Sequence, residues 1–347
     1  YPAGFDYSFG FDGIFAIVMG AGFSMIAPPI LAYNLTLTII IFTNILVSYH
    51  AFKKLGEVEG VKEHLSMKAL ISALIFGSSP YVFARLNGHL NLAFIAGFPL
   101  LLTRLVILNK KIVQEPSEVT SRDLNLTVLG ALLVLFGSLQ YLILLGLVLP
   151  AVVIFAYQRG ILEKYKEFYK LHEKKIVAAV VYFYTVLFLF YWGYFRAAFT
   201  GGLVFIEGKE KYFPPTILDI LLPNQYLGSF WSYINPSADS IERVITIGLV
   251  EILLLLWFLA VSKRKRLKLF GIFLATAYLV LSFGLVKIPF YPEGGRITIL
   301  LSLFTAAIFI LGSNKIRKQE TFGMIFALLI IERLFFNLHT TYPLASQ

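Results

Sequence analysis

The chain has 347 residues, of which 58% are hydrophobic, 16% aromatic and only 14% charged, with a formal net charge of +10 at pH 7 and a mean hydropathy of +0.78. Soluble domains carry about a quarter charged residues, so the composition excludes an ordinary soluble enzyme and leads to an all-α, polytopic transmembrane helix bundle. The absence of cysteine excludes disulfides, cysteine–zinc sites and thiol nucleophiles.

In chain order, residues 1–29 are expected to be the remnant of an outer loop, since no signal peptide precedes the first apolar segment and Tyr1 opens the sequence. The apolar, glycine-rich stretch 11–28 (FDGIFAIVMGAGFSMIAP), closed by Pro28-Pro29, reads as an interfacial helix in preference to an eleventh span. A span needs roughly 20 mostly apolar residues. On that measure candidates lie at 30–52, 67–83, 90–108, 124–138, 139–157, 176–196, 243–262, 269–286, 297–312 and 321–338, about 10–11 spans in all. Residues 124–157 also read as one broken unit, with Gly137 and Gln140 near its middle. The chain then forms a single membrane domain, 1–347, with a first bundle (30–196), one long outer loop (197–242) and C-terminal spans (243–347). Within the long loop, ILDILL suits a short amphipathic helix. EKYKEFYKLHEKK in an inner loop suits a solvated helix extension or a headgroup contact.

Twenty-one of the 30 lysines and arginines fall on one side if 30–52 runs from outside to inside. The positive-inside rule makes that side cytoplasmic. The net charge therefore reflects loops at a membrane, and a nucleic-acid partner is not expected. The YPAGFD start, the RLNGH knot (85–89), the 197–242 segment and the YPEGGR turn (291–296) all face the other way.

Ionisable groups at span ends cost a few kcal/mol unless paired or wet, and they are functional candidates for that reason. Arg85 suits bidentate capture of phosphate or carboxylate. His89 can accept a proton or donate a hydrogen bond, and Asn87 and Asn91 flank it. The same knot also reads as a hairpin whose polar residues only cap helices. Asp6 and Asp12 are rim carboxylates fit for general base or metal-ligand roles, but Asp12 fits an N-cap before GIFAIVM as well. Glu242 and Arg243 open a span. Glu293 and Arg296 flank a Gly-Gly turn whose N–H groups could approach an anion, or which is an ordinary hairpin. Arg104 and the Glu332–Arg333 pair read as interfacial anchors, and Glu251 is the chief charge near the middle of a span. Walker A, HExxH and GxSxG motifs are absent.

SSPYVFARLNGHLNLAFIAGFPLLL (78–102) resembles a segment of prokaryotic GT-C-type membrane glycosyltransferases, in which an aromatic/proline helix end runs into a Gly-His-Leu turn. AYNLTLTIIIFTNILVSYHAFKKL, LLPNQYLGSF and YPEGGRITILLSLF are similar to later and earlier elements of that family. The resemblance implies a helix bundle with an extracytoplasmic active site, a polyprenyl- or dolichyl-phosphate sugar as donor, and a lipid-linked glycan, lipid or protein as acceptor. It implies Asp6 and Asp12 as loop acids and Arg85, His89, Glu293 and Arg296 as rim residues, with an acidic base that belongs near the start of the first outer loop. The resemblance places that start and the first span before Tyr1, so the base itself is expected upstream of Tyr1 or at Asp6.

The expectation is thus an inverting transferase in a prokaryotic cell membrane, acting among membrane lipids, with Mg or Mn compatible with its carboxylates as a divalent cofactor. A transporter or flippase for lipid-linked glycans, and a non-catalytic membrane subunit, are the alternatives. A transporter should carry broken mid-membrane segments in paired halves, and Gly137-Ser138 with Gln140 is the one good candidate.

Overall fold

A computed structural model describes residues 13–86, 90–141, 144–145, 160–199, 217–222, 233–234, 246–261, 265–282, 297–313, 316 and 319–334. Among them the chain is all-α, with no strand. The helices are α1 (Ile14–Ser24), α2 (Pro29–Val58), α3 (Leu65–Gly77), α4 (Pro80–Leu86), α5 (Gly97–Gln114), α6 (Ser121–Gly137), α7 (Ile161–Phe199), α8 (Ile217–Leu221), α9 (Leu249–Val261), α10 (Lys265–Ser282), α11 (Ile297–Gly312) and α12 (Gln319–Leu334).

Two helices among the described residues are long and apolar enough to cross a membrane: α2, and α7 over Ile161–Gly193. A third joins them if α3 and α4, bent by 43° at Ser78-Ser79, form one broken span. The sequence-derived span 67–83 is that pair. Helices α1, α9 and α11 are apolar but shorter. The expected span 139–157 lies mostly outside the described residues, although α6 does stop at Gly137 and Ser138 is extended.

Several boundaries differ from expectation for identifiable reasons. The span expected from residue 90 begins helically only at Gly97, because Asn44 of α2 holds the preceding segment out of helix. The N-cap of α1 is Gly13 (φ 84°), with no side-chain cap, so the capping role offered to Asp12 falls one residue later. Asp12 itself lies outside the described residues. The charged stretch after residue 160 is indeed a helix extension: α7 runs on through it as one 39-residue element, departing from helical dihedrals at His172 and Tyr191. ILDILL likewise forms α8.

Packing relies on small residues that let backbones meet, the usual device where apolar surroundings leave little hydrophobic drive between helices. A Cβ on Gly97 would sit 2.6 Å from the Leu133 carbonyl carbon of α6, and one on Gly77 would sit 2.8 Å from the Ile45 nitrogen of α2. Helix α3 is gripped by α2 on one side and α11 on the other, with Ile71, Ile75 and Phe76 in the same core as Phe309, Ile310 and Phe322.

These contacts give the bundle two distinct ends. At one end Lys110 pairs with Glu59 (2.7 Å) and donates to the Val58 carbonyl (2.9 Å). Lys111 pairs with Asp123 (2.7 Å) and Tyr165 donates to Asn109 (2.7 Å). Thr120 and Asp123 form a capping box on α6, and the His172 Nε2 contacts the Pro116 carbonyl at 3.0 Å. The other end gathers the α3–α4 bend, residues 90–98, the end of α6, the start of α9 and the end of α12. Helix α1 lies there too, with Phe15 stacked on Phe94 at 3.9 Å between ring centres.

Candidate functional site

Among the described residues, the second end gathers the buried polar side chains Asn44, Ser78, Arg85, Glu251 and Arg333. Its first part is the chain reversal between α4 and α5. Residues 93–96 are buried without being helical, and buried backbone without partners costs about 1–3 kcal/mol per group. Asn44, fully buried in α2, answers this: its Nδ2 donates to the Ala93 carbonyl (2.8 Å) and its Oδ1 accepts from the Ile95 N–H (3.0 Å). A single amide side chain thus supplies both donor and acceptor to a short non-helical segment. Tyr141, just beyond the break after α6, donates to the Leu92 carbonyl and lies 3.2 Å, oxygen to oxygen, from Tyr81 of α4. Tyr33 of α2 donates to the Leu86 carbonyl at 3.1 Å, the last residue of α4.

Arg85 sits in that frame. It is 1% exposed, and its guanidinium carbon lies 5.1 Å from the Tyr81 ring centre, a cation–π distance. The ring that orients Arg85 is therefore the ring that meets Tyr141, so the two helix breaks and the cation form one assembly.

The second part is an ion-pair junction. Glu251, 0% exposed in the first turn of α9, pairs with Arg333 of α12. Arg333 also donates from Nη1 to Glu332 (2.8 Å) and from Nε to the Ser78 hydroxyl (3.3 Å) at the α3–α4 bend. Glu332 accepts from the Leu249 N–H at 2.7 Å and so satisfies one of the unpaired donors that begin α9. Oε2 of Glu251 has no hydrogen-bond partner among the described residues.

Of the residues offered from sequence as catalytic or substrate-binding, Arg85 is the one whose side chain is described, and it is 1% exposed. Asn91 falls in the 3-10 turn Leu90–Leu92; its side chain, and Asp6, Asp12, Asn87, His89, Glu242, Arg243, Glu293 and Arg296, lie outside the described residues. Among the described residues no group of three His, Asp or Glu side chains is spaced to hold a metal ion.

Sequence reasoning gave Arg333 another role and passed over Asn44, Tyr81 and Tyr141. Arg333 is not an interfacial anchor: it is 8% exposed and engaged by Glu251, Glu332 and Ser78. Asn44 and the Tyr81–Tyr141 pair were not singled out. A lone Asn amid ILVS-type apolar sequence was the available signal, because an amide in an apolar span is costly unless it is bonded. For the tyrosines nothing local distinguishes a bonded hydroxyl from an interfacial one.

Fold and site define an all-helical bundle with a polar, cation-bearing end built around broken helices. No known protein family, curated protein or solved structure matches the chain.

Proposed function

We propose that the protein is a multi-pass membrane glycosyltransferase of the GT-C type, which moves a sugar from a polyprenyl-phosphate donor to a lipid-linked or protein acceptor on the extracytoplasmic face. The observation that carries this reading is the buried guanidinium of Arg85 at the end of a bent helix pair, on the end of the bundle remote from the lysines. A buried cation is costly in apolar surroundings, and function is the usual reason for keeping one. Supporting it are the resemblance of residues 78–102 to that family and the exposed apolar surfaces of α7 and α9, which suit acyl chains.

In this reaction the acceptor hydroxyl oxygen attacks the anomeric carbon of the donor. The new carbon–oxygen bond forms as the bond to the phosphate oxygen breaks, and the departing lipid phosphate carries away the electron pair. A carboxylate orients the hydroxyl and takes its proton, the role proposed for Asp6 or Asp12. Phosphate is already a good leaving group, so what the protein must supply is charge stabilisation as the phosphate leaves. Arg85, with His89 and Arg296, is suited to that. Asn87, Asn91, Glu242, Arg243 and Glu293 are proposed to contact the sugar or headgroup.

The test is transfer of labelled sugar from a panel of polyprenyl-phosphate donors by the purified protein in detergent. Arg85→Gln should lower kcat by about a hundredfold or more, the scale of losing one charge-stabilising donor, and Arg85→Lys should recover part of it. A protein that transfers nothing across the panel but carries labelled lipid across vesicles is a transporter instead.

That second reading has its own observation. Two helix breaks, at Ser78-Ser79 and Gly137-Ser138, meet through Tyr81 and Tyr141, and discontinuous helices are common at transporter sites. Both breaks lie in the N-terminal half of the chain, whereas a repeat-built transporter would place them in corresponding positions of two halves.

A further inference from the structure

A cavity of about 290 Å³ opens between α6 and α7 at the lysine-rich end of the bundle, far from the polar end just described. Each helix presents one face to it: Ser121, Leu124, Asn125 and Val128 on α6, and residues 175, 178, 179 and 182 on α7. Both sets follow the i, i+3, i+4, i+7 spacing of a single helical stripe, so the hollow is a true inter-helix groove. It exists because α7 carries Ala178 and Ala179 where larger side chains would close it.

The groove is divided by chemistry. Its mouth has the exposed polar groups Ser121 and Asn125 and the cation of Lys175, the one charged side chain in its lining. Its floor is apolar, with Leu124 buried and Val128 half-buried. Asp123, the acid of the same turn of α6, is occupied by Lys111 at 2.7 Å and does not line the groove. Lys175 is also the last cation before the apolar run of α7, with no further lysine or arginine until Arg196. Further along α7 a second, open hollow of about 650 Å³ is lined by apolar side chains including Val181, Phe188 and Trp192. The two hollows share no lining residue and lie on different faces of α7, since neighbouring helical residues point about 100° apart, so the first groove is a site by itself.

We infer that this groove binds an anionic phospholipid of the surrounding membrane, its phosphate on Lys175, Asn125 and Ser121 and its upper acyl chain against Leu124, Val128 and the exposed side of α7. A cation between helices at the headgroup level is the general form of such sites. The inference rests on the membrane reading above but not on the transfer reaction, and it is tested by binding alone.

The experiment is native mass spectrometry of the full chain in detergent, titrated with phosphatidylglycerol and with phosphatidylcholine of identical acyl chains. Wild type should hold phosphatidylglycerol about fivefold more tightly, the worth of one near-surface lysine. Lys175→Gln should abolish the preference. Lys166→Gln should keep it, because Lys166 is paired with Glu163 at 2.9 Å on the exposed extension of α7, outside the groove. Ala178→Leu, which fills the groove without touching charge, should weaken both lipids, and its melting temperature reports whether it has folded. Equal binding of the two lipids by wild type, equal losses in the two lysine variants, or saturation by glycerol phosphate without acyl chains at the same concentrations would each overturn the inference.

Discussion

Arg333 and Glu251, 82 residues apart in sequence, form a buried ion pair that also reaches Ser78, 255 residues from Arg333, at the bend between α3 and α4. One guanidinium therefore joins the start of α9, the end of α12 and the break in α3–α4. Taking two charges out of water costs several kcal/mol per ion, so the pair is better evidence for specificity of arrangement than for net stability.

Removing one partner should be far worse than removing both. Arg333→Met leaves Glu251 buried without its counter-charge and is expected to cost about 3–5 kcal/mol. Combining it with Glu251→Leu should recover most of that loss. Thermal unfolding of the three proteins in the same detergent gives the comparison; a double variant as unstable as the sum of the singles would show that the two residues do not act as a pair.

Asn44→Leu should destabilise by about 1–3 kcal/mol for each backbone group it strands, the Ala93 carbonyl and the Ile95 N–H. Asn44→Asp retains the acceptor for Ile95 but not the donor for Ala93, so it should be no milder in the apolar interior. Hydrogen exchange over residues 92–98 should rise in Asn44→Leu while α10 is unaffected.

Gly97→Leu inserts a side chain where α5 touches the α6 backbone. Overpacking of this kind costs about 1–3 kcal/mol when side chains can yield, and here backbone must move, so the loss should reach or exceed that range. Gly323→Leu is the control, since nothing lies within 4 Å of a Cβ there. Melting temperatures that fall equally for both would refute the close-packing account.

Burial by itself would raise the Asp123 carboxyl, but hydrogen bonds from Lys111 and from the Thr120 N–H and hydroxyl outweigh it and hold it below its ordinary value. A carboxyl depressed in the folded state adds stability above its unfolded pKa, and that stability is lost as pH falls through the folded one. Asp123→Asn should therefore lower stability at neutral pH and flatten the acid limb of the stability–pH curve. Parallel acid limbs in the two proteins would contradict this.

The chain has no cysteine, so single introduced thiols can report which end faces which compartment. Lys166→Cys, on the exposed extension of α7, should resist a membrane-impermeant maleimide added outside intact cells. Met25→Cys, at a residue 86% exposed on the opposite end, should react. The reverse pattern would invert the proposed orientation.

Hydropathy and turn chemistry made the all-α class, the order of the helices and the gathering of lysines at one end readable from sequence, because each depends on residues close together in the chain. The break at Gly137-Ser138 and the helix at ILDILL were legible for the same reason. Where the polar end is held together was not. Asn44 bonding residues 93 and 95, Tyr141 meeting Tyr81 and Arg333 reaching Glu251 and Ser78 all join segments from 49 to 255 residues apart. Sequence alone determined that polar groups in apolar spans needed partners, since their desolvation must be offset. Only the tertiary structure decided which partners, because helix packing, set by small residues such as Gly77 and Gly97, fixes which faces meet.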